Sequence, residues 1–135
     1  MTVRHETITV DTKRREETID ITSRVKAAVT RAKISDGLVT ITVAHTTAAV
    51  FVNENADPDV QKDLLTALER MVPRDANYEH AEGNGPAHIK AVVVGNSVTL
   101  AIREGAIALG TWQGVYFTEL DGPRERSATI TVIGD

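Results

Sequence analysis

Apolar residues in this chain keep changing their spacing, and the order of those changes is its strongest constraint on fold. From Leu38 to Ala44, Val39, Ile41 and Val43 point one way while Thr40 and Thr42 point the other, the period-two signature of a half-buried strand. The apolar run Ala48 to Val52 follows as a second strand. Earlier, Thr2 to Val10 is rich in Thr, Val and Ile, and Glu17 to Ile21 sets Ile19 and Ile21 on one face. With the polar turn Asp11 to Arg15 between them, these two are expected to form a hairpin whose charges suit a sheet edge. Val98, Leu100 and Ile102 alternate, as do Val115, Phe117 and Glu119. After the turn Asp121-Gly122-Pro123-Arg124, Ala128, Ile130 and Val132 mark the last strand.

Between these runs the period lengthens. Val25, Ala28, Val29 and Ala32 predict a helix from about Ser23 to Lys33, with Thr22 or Ser23 as its cap. Asp57-Pro58 opens another, since the carboxylate can accept from free amides and proline suits the first helical position. Its stripe is Val60, Leu64, Leu65, Leu68 and Met71, and Pro73 stops it. Arg74 to Gly85 is a polar loop long enough to suggest a functional role, and Pro86 to Val94 enters a third, short helix. Strands thus come in pairs rather than in regular strand–helix alternation. That order predicts an α+β fold with mainly antiparallel sheet and two to three helices, in one domain over residues 1–135.

Composition narrows the chemistry. No cysteine is present, which excludes disulfides, thiolate nucleophiles and thiolate metal ligands. Aromatics make up only 4% of the chain, so Val, Ile, Leu and Ala must build the core. A net charge of −4 argues against nucleic acid as a partner. The longest apolar stretch, about Ala91 to Gly95, falls far short of the ~20 residues of a spanning helix, and Met1 to Val10 has no apolar signal core. No membrane partner and a cytoplasmic location are expected.

Of the four histidines, His5 sits in a charged strand and reads as a surface residue. His45 ends a strand and is followed by Thr46 and Thr47, whose hydroxyls can orient an imidazole or meet an anion. His80 and His88 flank the polar loop. His45, His80 and His88 are enough for a three-imidazole metal site, and the plainer reading is loop anchoring through backbone hydrogen bonds. Asp57, near Asn53 and Glu54, is a helix cap at a place where anions also bind. Glu119 and Asp121 are either general bases or partners of Arg124 and Arg126. Those arginines and Lys90 are the candidates for a phosphate, or else solvated surface charge. The lone Trp112, between Gly110 and Gly114, is a turn or interface anchor or a stacking platform.

Read in order, His45-Thr46-Thr47-Ala48, Asn53-Glu54, Asp57-Pro58, Tyr78-x-His80, Asn84, Ala87-His88-Ile89-Lys90, Gly110-Thr111-Trp112-Gln113 and Glu119-x-Asp121-Gly122-Pro123-Arg124-x-Arg126 resemble the YjbQ-like family over about residues 2–134. Members have been described as secondary thiamine-phosphate synthases. The resemblance implies a compact α+β sandwich assembled as a homotrimer, with shared polar residues near subunit boundaries around a metal site. Carried over, it makes His45, His80 and His88 metal ligands, with Asn84, Lys90, Gln113, Glu119 and Arg124 beside them.

Such an enzyme joins hydroxymethylpyrimidine diphosphate to thiazole phosphate and releases pyrophosphate. A divalent metal (zinc, or magnesium with a diphosphate) and Lys90, Arg124 or Arg126 would carry the leaving group's charge. The expected assignment therefore has Glu119, Asp57 and Gln113 in catalytic roles, with Thr46, Thr47, Asn53, Asn84, Lys90, Arg124 and Arg126 binding a small phosphorylated ligand. The competing expectations are a metal-dependent hydrolase of a phosphorylated molecule and a trimer that binds metal or phospho-ligand without turnover.

Overall fold

A computed structural model describes residues 1–135 in full. Strand β1 (Thr2–Asp11) is followed by β2 (Glu17–Asp20), helix α1 (Thr22–Ala32), β3 (Gly37–Thr42) and β4 (Ala48–Glu54). Helices α2 (Pro58–Met71) and α3 (Gly85–Val94) come next, then β5 (Ser97–Arg103), β6 (Ala106–Ile107), β7 (Gln113–Glu119) and β8 (Glu125–Gly134). The α+β expectation holds, and every strand pairing is antiparallel.

Two sheets form, one ordered β1-β8-β3-β5-β6 and the other β2-β7-β4. The expected β1–β2 hairpin does not exist. β1 pairs with β8 and β2 with β7, so the turn after Asp11 carries the chain from one sheet to the other. Both strands do lie at sheet edges. The clean alternation of β3 has a direct structural cause: Val39 stands opposite Val132 and Ile41 opposite Ile130, all buried. One apolar cluster draws on both sheets and on α1, through Ile8, Ile41, Val50, Phe117, Ile130 and Val25 among others. It contains a single aromatic, Phe117, as the composition required.

Local capping follows the sequence in one helix and departs from it in another. Asp57 caps α2, its Oδ1 accepting from the Asp59 amide at 2.9 Å. The first residue outside α1 is Ile21, with no side-chain cap. Thr22 lies inside the helix instead: its hydroxyl donates to Asp20 Oδ1 at 2.5 Å and accepts from the Val115 amide at 2.8 Å, stitching α1 to β7. On the face of β4–β7 turned away from the main core, α3 lays Ala87 and Ala91 against Ala49 and Leu120. Small residues on both sides let the helix approach closely. The C-terminal end of α3 then joins the sheets, since the amides of Val43 and Val50 donate to the carbonyls of Asn96 and Gly95. No helix is long and apolar enough to cross a membrane.

Candidate active site

The register Ala48↔Glu119 marks one end of the smaller sheet, and most motif residues gather there. Glu119 is fully buried and its carboxylate is fully engaged. It accepts from Arg126 Nε at 2.9 Å and Nη2 at 2.5 Å, from Thr12 Oγ1 at 2.8 Å, and from the Leu120 and Asp121 amides at 3.0 Å. Burial alone would raise its pKa, but the Arg126, Asp121 and Thr12 hydrogen bonds outweigh that and hold the carboxyl below its ordinary range. Arg126 spends its remaining contacts on Thr47, with Nη2 donating to Oγ1 at 2.8 Å and to the carbonyl at 3.1 Å. Glu119, Thr47 and Arg126 are therefore one closed, buried network, not a base and two anion ligands.

The other cations are also committed. Lys90, 2% exposed, donates at 2.8 Å to both Glu16 and Glu69. Burial works against its charge, but those two carboxylates prevail and raise its pKa above the ordinary lysine value. Arg124 pairs with Asp121 at 2.9 Å, and Asn84 donates to the same carboxylate at 2.9 Å. Every side chain expected to carry the charge of a diphosphate already faces a carboxylate of its own chain.

What stays open is a cleft of about 480 Å³ where the β3–β4 connection meets α3, lined by His45, Thr46, His88, Asn96 and the small residues Ala48, Ala91 and Gly95. His45 Nε2 accepts from the Ser127 amide at 3.1 Å, which requires a free lone pair there and assigns the ring proton to Nδ1. Burial first, and then the positive charge of Arg126, lower its pKa, so His45 is a neutral imidazole near pH 7. His88 is half-buried, and the exposed His80 stands edge-on to it with ring centroids 5.0 Å apart.

The three imidazoles do not fit a metal within one chain. The His45 lone pair is already used, His80 and His88 pair with each other, and no three His, Asp or Glu side chains are arranged to hold an ion. At the far end of β4 stand Asn53, Glu54 and Gln113, with Glu54 opposite Gln113 in register. Gln113 Oε1 accepts from the Gly110 amide at 2.8 Å and Asn53 Oδ1 from the Glu54 amide at 2.7 Å. Trp112 beside them is 64% exposed. At roughly 3.3 Å per residue, these lie about 20 Å from His45. Asp57, capping α2, belongs with this end. Asp57→Ala should cost about 1 kcal/mol in chemical denaturation, the ordinary loss for a cap. An unchanged midpoint would free Asp57 for another role.

A family profile described as "UPF0047 protein YjbQ-like" matches residues 6–135. The chain belongs to that family. A UPF0047 protein of Methanocaldococcus jannaschii is 46% identical over 93% of this chain and 91% of its own length. The Bacillus subtilis UPF0047 protein YugU is 43% identical over 95% and 98%. Among solved structures, an uncharacterized YjbQ/UPF0047 protein of Clostridium acetobutylicum superposes with a TM-score of 0.93 at 45% identity, covering 95% of this chain and 99% of its own. A protein of unknown function from Sulfolobus solfataricus gives 0.96 at 35% identity, covering 99% of each.

These names correct the functional expectation. The YjbQ-like relatives carry no activity in their names, and nothing in them points to thiamine-phosphate synthesis or to a metal enzyme. The geometry agrees, because the cations needed for a diphosphate are neutralised and Glu119 is sealed behind Arg126. The synthase reading falls, and nothing in the relatives' names favours the metal-dependent hydrolase or the binding of metal or phospho-ligand without turnover. Sequence reasoning also missed Asn96 and Ser127. Asn96 lies in the short connection between α3 and β5, outside every motif, and Ser127 acts through its backbone amide, which no side-chain motif announces.

Proposed function

We propose that this YjbQ-like protein handles a small polar molecule in the His45–His88 cleft by hydrogen bonding and proton exchange through imidazole. The observation that supports it most is the fixed tautomer of His45. A neutral ring locked by Ser127 presents Nδ1–H as a donor of set direction, next to a second, half-buried imidazole. Thr46 and Asn96 add adaptable polar contacts, and the alanines leave room for a ligand.

A homotrimer is part of the same proposal. The motif residues fall in two clusters at opposite ends of β4, and head-to-tail packing of copies would set Asn53, Glu54, Trp112 and Gln113 of one copy beside the cleft of the next. The apolar side chains Ile89 and Val92 of α3, 42% and 82% exposed with Val92 at the rim of the cleft, suit such a contact.

Light scattering should give three times the 14.6 kDa chain mass. In the assembled protein, NMR titration with neutral amide and alcohol fragments should shift the His45, Ser127, His88 and Asn96 resonances together. His88→Ala should weaken that binding about tenfold, the effect of one lost contact of ~1.4 kcal/mol. A stable monomer removes the shared-site half of the proposal. Fragments that leave all four resonances unmoved remove the cleft itself.

A further inference from the structure

We infer that a second site, distinct from the histidine cleft, lies beneath α2 and takes an apolar chain or ring ending in an amine. The amphipathic stripe of α2 predicts a helix packed onto the core, yet the structure does not pack it there. Val60, Leu64 and Met71 join neither apolar cluster, and of the stripe only Leu68 is buried. Between the helix and the strand below it remains a cavity of about 580 Å³, floored by Phe51 and Val52 of β4 and closed at one side by Val93 and Val94 of α3. That volume lies within the ordinary range of small-molecule sites, about 300–1,000 Å³. Leaving it unfilled would forfeit most of the contacts that an apolar stripe exists to make.

Polar groups among the lining residues are few and all lie toward one end. They are Asn53 at the end of β4, and Gln61 and Asp63 in the first turns of α2. Gln61 donates through Nε2 to the Glu54 carbonyl, which pins α2 to the end of β4. Asn53 uses its oxygen on the Glu54 amide, leaving its NH2 group as a donor. Asp63 is the only charged lining residue, and no lysine or arginine lines the cavity. A ligand with an anionic head is therefore disfavoured, whereas an ammonium or neutral amine meets Asp63 at the mouth while its chain lies against Leu64, Leu68 and Phe51. No residue that lines the cleft within one chain lines this cavity, and the inference does not rest on the proton-exchange reading; Asn53 is the one residue that the proposed trimer would also bring beside a neighbour's cleft.

The test uses the full chain and a neutral dye that fluoresces in apolar surroundings, N-phenyl-1-naphthylamine, displaced by decylamine or by decanoate. Wild type should bind the dye saturably at one per chain, and decylamine should displace it at a concentration at least fivefold lower than decanoate does. Leu64→Trp, which fills the cavity, should weaken dye binding at least tenfold with an unchanged melting temperature, and His88→Ala should leave it unaltered. Should Leu64→Trp fail to fold, Val60→Phe on the same stripe gives the same readout. Equal displacement by the two amphiphiles overturns the amine preference. Absent dye binding, binding indifferent to the filling substitution, or binding that appears only when the oligomer is diluted apart overturns the site, the last by showing that a second copy covers the groove.

Discussion

Arg126→Ala should lower the melting temperature by about 12–20 °C. Arg126 and Glu119 are 3% and 0% exposed, and each is the other's only charged partner. Removing one member of a buried pair leaves the other desolvated and uncompensated, at a cost of about 3–5 kcal/mol. For a chain of this length ~1 kcal/mol moves the midpoint by roughly 4 °C, which gives the range stated. The Thr47 hydroxyl and carbonyl lose their donor in the same step, so the β3–β4 connection that carries His45 loosens with it. Replacing both partners together, as Glu119→Gln with Arg126→Met, should destabilise less than Arg126→Ala alone, because no charge is then stranded.

The pH dependence has a definite sign. The folded-state pKa of Glu119 lies below its ordinary value of 4.5, so its contribution is complete above about pH 4.5 and is lost as pH falls through the folded value. Acid unfolding of the wild type should therefore be steeper than that of the Glu119→Gln, Arg126→Met double variant. A midpoint for Arg126→Ala within about 3 °C of wild type would mean the pair is hydrated in solution. Glu119 would then return as a candidate base.

Much of the fold was legible because it depends on local pattern. The alternation of Val39, Ile41 and Val43 and the cap at Asp57 are one-dimensional signals, and both appear as read. Pairing is a long-range matter. Nothing between Asp11 and Glu17 reveals that β1 takes β8 as neighbour while β2 takes β7, since a polar turn serves a hairpin and a sheet crossover equally well. The site was misread for a related reason. A sequence shows which charges exist, but not which of them cancel. Lys90 and Glu16 are far apart in the chain, and only the folded molecule places one ammonium between Glu16 and Glu69. The resemblance names His45 and His88, and these two share a cleft. It did not distinguish residues that build the wall from residues that face a ligand.

Lys90→Met separates those two roles most sharply and should cost about 3 kcal/mol. The methionine keeps the volume and most of the aliphatic stem, so packing of α3 against Ala49 and Leu120 is little changed. What disappears is the ammonium that joins three elements: Glu16 before β2, Glu69 in the last turns of α2, and α3 itself. Two carboxylates are then left around an apolar side chain. Glu16 is 17% exposed and pays a desolvation penalty, whereas Glu69 at 39% exposure rehydrates in part, which puts the loss at the lower end of the buried-pair range. Glu69 also accepts from the Arg74 amide at 2.7 Å, so the start of the loop after α2 should become more open to proteolysis. The folded-state pKa of Lys90 lies above 10.5, so its contribution is present below about pH 10.5 and is lost as pH rises through the folded value. Above that pH, wild type and Lys90→Met should converge in stability. A lysine that serves a phosphate would behave in the opposite way: its substitution would leave the melting temperature alone and abolish pyrophosphate binding. Measuring both on the same pair of proteins decides between a structural clamp and an anion ligand.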